Sequence, residues 1–258
     1  MDGPTRRELL CARHPPAHFD AVSRAPRQRL FSDARQSAFA GNLIEPAAEI
    51  DLDQAVLEAD IGFADKARKS ALAAIALAPK SAFIQAFVAL ALARSGDIAS
   101  AQSEASKAAV QSPLDTILNS AVLASAHSAI QLRKHQPEAA IQSLEGARPY
   151  DTNFFMGLSP AYYRGLAYLQ NQEWHEASKE FQRVIDHRAI DPDSLYIALS
   201  QLELGRAFQL SADRPNAARA YSEAERVWKE ADPGFPPLQE LRVYQHELIP
   251  HPLPASSK

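Results

Sequence analysis

Two stretches in the second half of the chain decide its fold: residues 163–181 read YRGLAYLQNQEWHEASKEF, and residues 204–221 read LGRAFQLSADRPNAARAY. In each, a glycine precedes an alanine by twelve residues, and an aromatic residue follows three after the glycine and four after the alanine. Small residues let two antiparallel helices approach closely, and large residues fill the space beside that contact. The spacing therefore predicts repeated pairs of packed helices. The residues concerned are Gly165, Tyr168, Ala177 and Phe181, then Gly205, Phe208, Ala217 and Tyr221.

Earlier parts of the chain repeat this spacing with a weaker pattern. Ala55 precedes Ala67, and Ala89 precedes Ala101, by the same twelve residues, and these two units are offset by 34 residues. A proline follows the second alanine of each unit by twelve residues, where it ends the second helix. The later units are longer, because the next alanines follow at intervals of 39, 37 and 40 residues. These later alanines are Ala140, Ala177 and Ala217.

The unit around Ala140 departs furthest from the pattern. There Ser128 stands where Gly or Ala is expected, and Gln131 stands where an aromatic residue is expected. In the unit around Ala67, Glu58 takes the aromatic position. The large aromatic residues of the later units are expected in the core, because their spacing matches the packing positions of the repeat. They are Tyr168, Trp174, Phe181, Phe208, Tyr221 and Trp228.

The pattern resembles the tetratricopeptide (TPR) repeat, a helix–turn–helix unit of about 34 residues. The resemblance implies an all-α fold, a TPR-type α-solenoid of about five antiparallel helix pairs that form a right-handed superhelix. One helix is expected before the pairs, at 26–40, and a C-terminal capping helix at 237–248, because the last repeat of a solenoid has one face without a neighbour. The pairs are expected at 48–61 with 64–78, 81–95 with 98–111, 114–134 with 137–147, 159–171 with 173–187, and 192–211 with 214–230.

Four segments resemble, more narrowly, the C-terminal TPR region of certain bacterial serine/threonine kinases and winged-helix regulators. They are segments 112–116, 147–150, 180–188 and 227–233. This resemblance implies an adaptor or sensor array rather than a catalyst. The chain has no kinase motif of its own, and no winged-helix segment fits in residues 1–30. We therefore expect either a stand-alone array or the tail of a larger reading frame.

Composition and charge predict three parts: a disordered basic leader at 1–25, a TPR-like domain at 26–248 and a disordered tail at 249–258. Residues 1–35 hold seven arginines and four acids, whereas the rest of the chain holds 20 basic and 27 acidic residues. The body of the chain is therefore mildly acidic, and we expect no nucleic-acid groove in it, because phosphate binding needs a basic stripe. No apolar stretch reaches the roughly 18–20 residues of a membrane helix. We expect a cytoplasmic protein, or an extracytoplasmic one if it belongs to a membrane-anchored kinase.

The sequence offers little chemistry for catalysis or cofactor binding. One cysteine excludes an intramolecular disulfide, and the nine glycines form no phosphate-binding loop. Cys11, His14 and His18 have a spacing that zinc could use, but Pro15 and Pro16 block a helical arrangement of these ligands. We therefore expect no enzyme activity, no cofactor and no metal.

The first helices of stacked pairs line a concave groove in TPR arrays, and the resemblance places ten residues of this chain on it. The clamp of Lys, Asn and Arg that grips a carboxylate in chaperone-binding TPR proteins is missing here. An apolar surface with interspersed arginines suits an amphipathic helix or an extended peptide that bears a few acids. The predicted groove residues are Phe83, Leu90, Arg94, Arg133, Tyr162, Leu166, Gln170, Leu202, Arg206 and Gln209.

Two functions follow as alternatives. The favoured one is a non-catalytic protein–protein interaction scaffold that binds a peptide or helix of a partner in the groove. The other is a ligand-sensing or regulatory segment of a bacterial signalling protein, a kinase or winged-helix regulator, whose effector domain is absent from this chain. Self-association, or burial of part of the groove by the array's own winding, would leave less of this surface for a partner.

Overall fold

The structure is a computed structural model that describes residues 24–152, 156–192 and 194–248, with side chains from residue 29 onward. These ranges contain twelve α-helices and no strand. The predicted leader up to residue 23, with Cys11, His14 and His18, and the predicted tail 249–258 lie outside the described residues. The helices are α1 Arg24–Ala40, α2 Ile44–Asp60, α3 Ala64–Leu77, α4 Ala82–Arg94, α5 Ile98–Gln111, α6 Leu123–Arg133, α7 Pro137–Glu145, α8 Ser159–Gln170, α9 Trp174–Asp186, α10 Leu195–Leu210, α11 Arg214–Val227 and α12 Pro236–Leu248.

Consecutive helices pack as five antiparallel pairs, in which α2, α4, α6, α8 and α10 are the first helices. Each first helix contacts its own second helix and also the first helix of the next pair, as α2 does with α4 and α4 with α6. This is the arrangement of a TPR-like α-solenoid, in which each repeat is stabilised by its neighbours. The all-α fold predicted from the repeat is confirmed, and the helix bounds differ from the predicted ones by a few residues.

The turn inside each pair has the same backbone conformation in all five repeats. A residue with positive φ lies five positions before the alanine of each second helix, as at Gly62 (φ 86°) and Gly96 (φ 90°). The three later turns place a non-glycine residue there, at a cost in backbone strain. The repeated turn therefore follows from the helix pairing rather than from glycine alone. The three non-glycine residues are His135, Gln172 and Ala212.

The repeat glycines pack against aromatic rings of the second helix. A Cβ atom added at Gly165 would lie 2.5 Å from the Phe181 ring, and one at Gly205 would lie 2.4 Å from the Tyr221 ring. The sequence pattern suggested that each glycine faces the alanine twelve residues later, so this contact refines that interpretation. The missing side chain makes room for a fully buried ring, since Phe181 and Tyr221 are each 0% exposed.

Two units have a polar residue at the aromatic position of the first helix, and in both it forms a hydrogen bond across the helix pair. The Ser70 hydroxyl donates to Glu58 at 2.9 Å, and the Ser143 hydroxyl donates to Gln131 at 2.8 Å. Both pairs span twelve residues, the same spacing as the small residues of the repeat. A polar residue in the first helix is thus matched by serine in the second, which satisfies a group that burial would otherwise penalise.

The third pair begins with a structure that the sequence did not predict. The expected helix at 114–134 contains a π-helix, Leu118–Val122, that continues directly into α6. A π-turn accommodates an extra residue within a helix. It lies in the first interval that exceeds 34 residues, the 39 residues from Ala101 to Ala140. The insertion is therefore absorbed partly within the helix itself.

Both ends of the array are covered by an additional helix. At the start, α1 packs on α2 through a small separate cluster that includes Phe31, Ala38 and Ile50. At the end, α12 packs on α10 and α11 and buries Leu241 completely. Trp228 also meets Phe235 edge to face at 5.5 Å. The predicted capping role of the last helix is thereby confirmed.

We expect the Gly205→Ala substitution to destabilise the array, because the new methyl group would overlap the buried Tyr221 ring. Such overpacking costs about 1–3 kcal/mol. Gly146→Ala is the matched control, since nothing lies within 4 Å of a Cβ atom there. Urea unfolding followed by circular dichroism measures both variants. Equal midpoints for Gly205→Ala and Gly146→Ala would contradict the proposed role of the glycine.

Candidate functional site

The array winds back on itself, so that its first repeat contacts its last two. Asp60, the last residue of α2, has a side chain only 1% exposed and forms an ion pair with Arg94 at 2.8 Å. Its other carboxylate oxygen accepts hydrogen bonds from the hydroxyls of Tyr163 on α8, at 2.7 Å, and Tyr196 on α10, at 2.8 Å. These contacts join residues more than one hundred positions apart in the chain.

A second contact also joins the first repeat to the C-terminal end of the array. The turn residue Gly62 lies so near the start of α12 that an added Cβ atom would be 3.3 Å from the Cβ of Pro236. The neighbouring Ile61 is 1% exposed. The concave face is therefore covered along part of its length by the array's own ends, one of the alternatives that the sequence left open.

Three of the ten predicted groove residues are buried and cannot line an open groove, which corrects that prediction. Leu90 and Leu202 are each 1% exposed, and Tyr162 is 2% exposed. Tyr162 packs within an aromatic cluster, with its ring 5.2 Å from that of Tyr196 and 6.0 Å from that of Phe181. These three side chains are buried because the array closes on itself, so that residues on its inner side pack against other repeats instead of facing solvent. Phe83 is half-buried and lies apart from the others, with its ring 4.8 Å from that of Phe87.

Five of the predicted groove residues meet around one cleft of about 400 Å³. We name it the arginine cleft, because guanidinium groups from three different repeats face it. The five predicted residues are Arg94, Arg133, Leu166, Gln170 and Arg206. The structure adds four lining residues that the sequence analysis missed, and these are Ala129, Leu132, His135 and Leu169.

The arginine cleft lies where successive first helices end. Arg94, Arg133 and Gln170 are the last residues of α4, α6 and α8. Each reaches back to the preceding first helix: Arg133 donates to the Arg94 carbonyl, and the Gln170 amide donates to the Leu132 carbonyl at 3.1 Å. Cationic side chains are favoured at this end of a helix, where backbone carbonyls lack partners. Gln209, near the end of α10, is not among the residues that line the cleft. Its side-chain amide donates a hydrogen bond to Glu247 of α12.

The three arginines differ in how far their charges are compensated. Burial opposes the charge of Arg94, but Asp60 and the neighbouring tyrosines raise the pKa of Arg94 above its ordinary value. Partial burial and the nearby positive charge of Arg94 lower the pKa of Arg133. Within the described ranges Arg133 pairs with no carboxylate, and its guanidinium is held by a carbonyl instead. Arg206 lies 3.5 Å from Glu203, a loose ion pair.

Two carboxyl groups, those of Glu203 and Glu240, lie near Arg206, and burial raises the pKa of each. The negative charge of Glu240 on α12 raises the pKa of Glu203 further. The ring of Tyr244 lies 5.5 Å from the Arg206 guanidinium and gives it an aromatic partner beside its ion pair with Glu203. Burial opposes the charge of Arg206, but Glu203, Tyr244 and Glu240 raise the pKa of Arg206 above its ordinary value, so this charge is partly compensated.

A separate buried ion cluster stabilises the pair α8–α9. Arg164, whose side chain is 0% exposed, contacts Asp151 at 2.5 Å and Glu180 at 2.8 Å. Arg148 reaches the same Glu180 at 2.9 Å. Burial opposes ionisation of Glu180, yet hydrogen bonds from both arginines hold its pKa below the ordinary value. This cluster is enclosed in protein, so its role is structural.

A larger depression of about 460 Å³ lies between α9 and α10 but offers less to a ligand. Its polar side chains are engaged with neighbours on the same helix: Lys179 with Glu176, Gln182 with Asp186, and Arg183 with Glu180. Among the described residues no group of three or more potential ligands could hold a metal ion. Nor is any helix in those ranges both long and apolar enough to cross a membrane.

No protein-family profile and no curated protein matches this chain. Among solved structures it is similar to a tetratricopeptide repeat protein from Parabacteroides merdae ATCC 43184, with 11% identity and a TM-score of 0.47 over 94% of this chain and 80% of the other. The assignment to TPR-like solenoids rests on the helix pairing and repeat contacts described above. The narrower resemblance to repeat regions of bacterial kinases and winged-helix regulators stays a prediction.

We expect Asp60→Ala to destabilise the protein by about 3–5 kcal/mol, because it leaves Arg94 without a counter-charge in a buried setting. The matched control is Asp51→Ala, since the partner of Asp51, Arg35, is 40% exposed and can be hydrated when the pair is lost. For the control we expect about 1 kcal/mol or less. Chemical denaturation of both variants provides the measurement. A similar loss for the two would show that the Asp60 contacts do not hold the array closed.

We expect Glu203→Gln to stabilise the protein at pH 7, because burial raises the pKa of this carboxyl in the folded state. A carboxyl whose pKa is raised by folding destabilises the folded state above that pKa, and this penalty disappears as the pH falls through it. The advantage of the variant should therefore shrink as the pH is lowered toward the ordinary pKa of 4.5. Thermal unfolding between pH 4 and pH 8 tests it.

Glu180→Gln is the control, for which we expect the opposite change in stability. Because folding lowers the pKa of Glu180, its carboxylate stabilises the folded state at neutral pH, and this contribution is lost as the pH falls through the lowered pKa. The variant should be less stable than the original protein at pH 7, and the difference should narrow in acid. If both variants changed stability in the same direction at pH 7, the assignment of the two environments would be wrong.

Proposed function

We propose that this protein is a non-catalytic interaction scaffold that holds a partner segment at the arginine cleft. The observation that supports it is the convergence of Arg94, Arg133 and Arg206, from three repeats, around one opening of about 400 Å³. Repeat arrays without chemistry of their own use such multi-repeat surfaces to bind extended segments of other proteins.

The partner segment we propose is short and acidic. Closure of the array by Asp60 and by the Gly62–Pro236 contact leaves little room for a whole helix along the inner face. The arginine cleft supplies positive charge together with the apolar side chains of Leu166 and Leu169. An acidic side chain flanked by apolar ones matches this combination, since arginine forms charge-assisted hydrogen bonds with carboxylates.

A scaffold rather than an enzyme is also favoured by the chemistry of the residues that line the cleft. The lining contains no serine, threonine or cysteine and hence no side chain of the usual nucleophiles. Its arginines stay protonated and cannot exchange protons with a substrate. His135 lies 3.4 Å from the Gln170 amide, which gives it a neighbour without acid–base function.

We expect the full chain, immobilised and exposed to proteins of its source cell, to retain a partner that the Arg133→Glu variant loses. The substitution reverses a charge on an exposed side chain and should repel an acidic segment without disturbing the core. Arg226→Glu is the matched control, because Arg226 is 73% exposed on α11, away from the cleft. Mass spectrometry identifies the retained proteins, and circular dichroism verifies folding.

Retention of the same proteins by the original chain, Arg133→Glu and Arg226→Glu would contradict a partner site at the cleft. The second candidate function, a ligand-sensing segment of a signalling protein, is favoured by one observation: the cleft volume lies within the roughly 300–1,000 Å³ of small-molecule pockets. A soluble ligand that raises the melting temperature of the original chain but not of Arg133→Glu would support that alternative.

A further inference from the structure

Charge balance at the arginine cleft indicates what kind of group it can accept. Three guanidinium groups face it, and one of them, on Arg94, is neutralised by the buried Asp60. Arg133 pairs with no carboxylate within the described residues, and Arg206 has only the loose contact to Glu203 at 3.5 Å. The charge of Arg133 is thus the least compensated of the three, the charge of Arg206 is shared with Glu203, and both side chains line the same opening.

We propose that the arginine cleft binds a doubly charged oxyanion group, a phosphate monoester, between Arg133 and Arg206. This inference rests on the proposed function, because it names the chemistry that the same cleft would recognise in a partner. A phosphate monoester carries about −1.5 to −2 charges at pH 7 and three acceptor oxygens, whereas one carboxylate carries a single charge. It therefore offers more acceptor oxygens and more negative charge to the guanidinium groups of Arg133 and Arg206 than a single carboxylate does.

The surroundings of the two arginines strengthen such an interaction. Ala129, Leu132, Leu166 and Leu169 form apolar walls, which lower the local dielectric constant and make each charge-assisted hydrogen bond stronger. The Gln170 amide and the His135 ring at the same opening provide further polar contacts. The cleft is also larger than a phosphate group alone requires, so that the organic part of an ester can lie against the leucines.

Side chains, and not backbone amides, must supply all the attraction here. The cleft lies at the carboxyl ends of α4, α6 and α8, where the helix dipoles are negative and disfavour an anion. Arg133 covers the terminal carbonyl of α4, and Gln170 covers a carbonyl of α6. The same side chains that satisfy these carbonyls thus place positive charge in front of them, which turns an unfavourable helix end into an anion-compatible surface.

Calorimetric titration of the full chain tests the proposal with three peptides of sequence Gly-Gly-X-Gly-Gly, in which X is phosphoserine, serine or glutamate. We expect the phosphoserine peptide to bind at least about tenfold more tightly than the other two. Arg133→Ala should weaken its binding by about tenfold or more. Arg206→Lys, which keeps the charge but loses the planar fork, should weaken it less. Arg226→Ala serves as the control and should bind like the original chain.

Inorganic phosphate and phenyl phosphate distinguish the sources of the group. Binding of phenyl phosphate as tight as that of the phosphopeptide supports a free phosphorylated metabolite, and tighter binding of the phosphopeptide supports a phosphorylated partner. Either result supports the oxyanion site. No binding of any phosphate probe at millimolar concentration, or equal binding by Arg133→Ala and the original chain, would overturn it.

Failure of this proposal is distinguishable from failure of the proposed function. If Arg133→Glu loses a protein partner while no phosphate probe binds, the scaffold stands and the oxyanion site is refuted. If binding of the phosphate probes requires Arg133 while Arg133→Glu and the original chain retain the same proteins, the scaffold function at this cleft is refuted and the oxyanion site is supported.

Discussion

The buried ion pair between Asp60 and Arg94 fixes how the whole array closes. Its charged partners are one repeat apart, at 34 residues, and one carboxylate oxygen also receives the hydroxyls of Tyr163 and Tyr196 from later repeats. A carboxylate that is 1% exposed is stable only if these hydrogen bonds are all made together. The first repeat can therefore leave the later ones only at the cost of an unpaired buried charge.

Closure and repeat packing depend on each other. The rings of Tyr162 and Tyr196 stand 5.2 Å apart beneath the Asp60 cluster, and Tyr162 also meets Phe181, which fills the space left by Gly165. A change at a repeat glycine is therefore transmitted to the aromatic layer that supports the tyrosine hydroxyls. In a simple solenoid each repeat contacts only its neighbours. Here the hydrogen bonds of Asp60 also join repeats that are distant in the chain.

Much of this fold could be predicted from the sequence, because the small and aromatic residues recur at fixed spacing. The same periodicity aligned Arg94, Arg133 and Gln170 at the ends of successive first helices, and the structure places all three at one cleft together with Arg206. What periodicity could not provide is the path of the superhelix. Whether Leu90 and Leu202 face solvent or core depends on contacts such as Asp60 with Tyr196, between residues 136 positions apart. A local pattern carries no information about such pairs. The π-helix at Leu118–Val122 could not be predicted either, because an extra residue inside a helix leaves its composition unchanged.

Because the inner face is occupied by its own side chains, the accessible positive surface moves to the edge where the first helices end. That edge would ordinarily repel anions, since helix carboxyl ends carry partial negative charge. Arg133 and Gln170 change its character by using those carbonyls as acceptors. The orientation of the arginines is thus a consequence of the stacking itself: each repeat positions the side chain that ends the next first helix. A surface built in this way depends on the register between repeats, so that the shape of the arginine cleft and closure through Asp60 depend on the same arrangement of α2, α4, α6, α8 and α10.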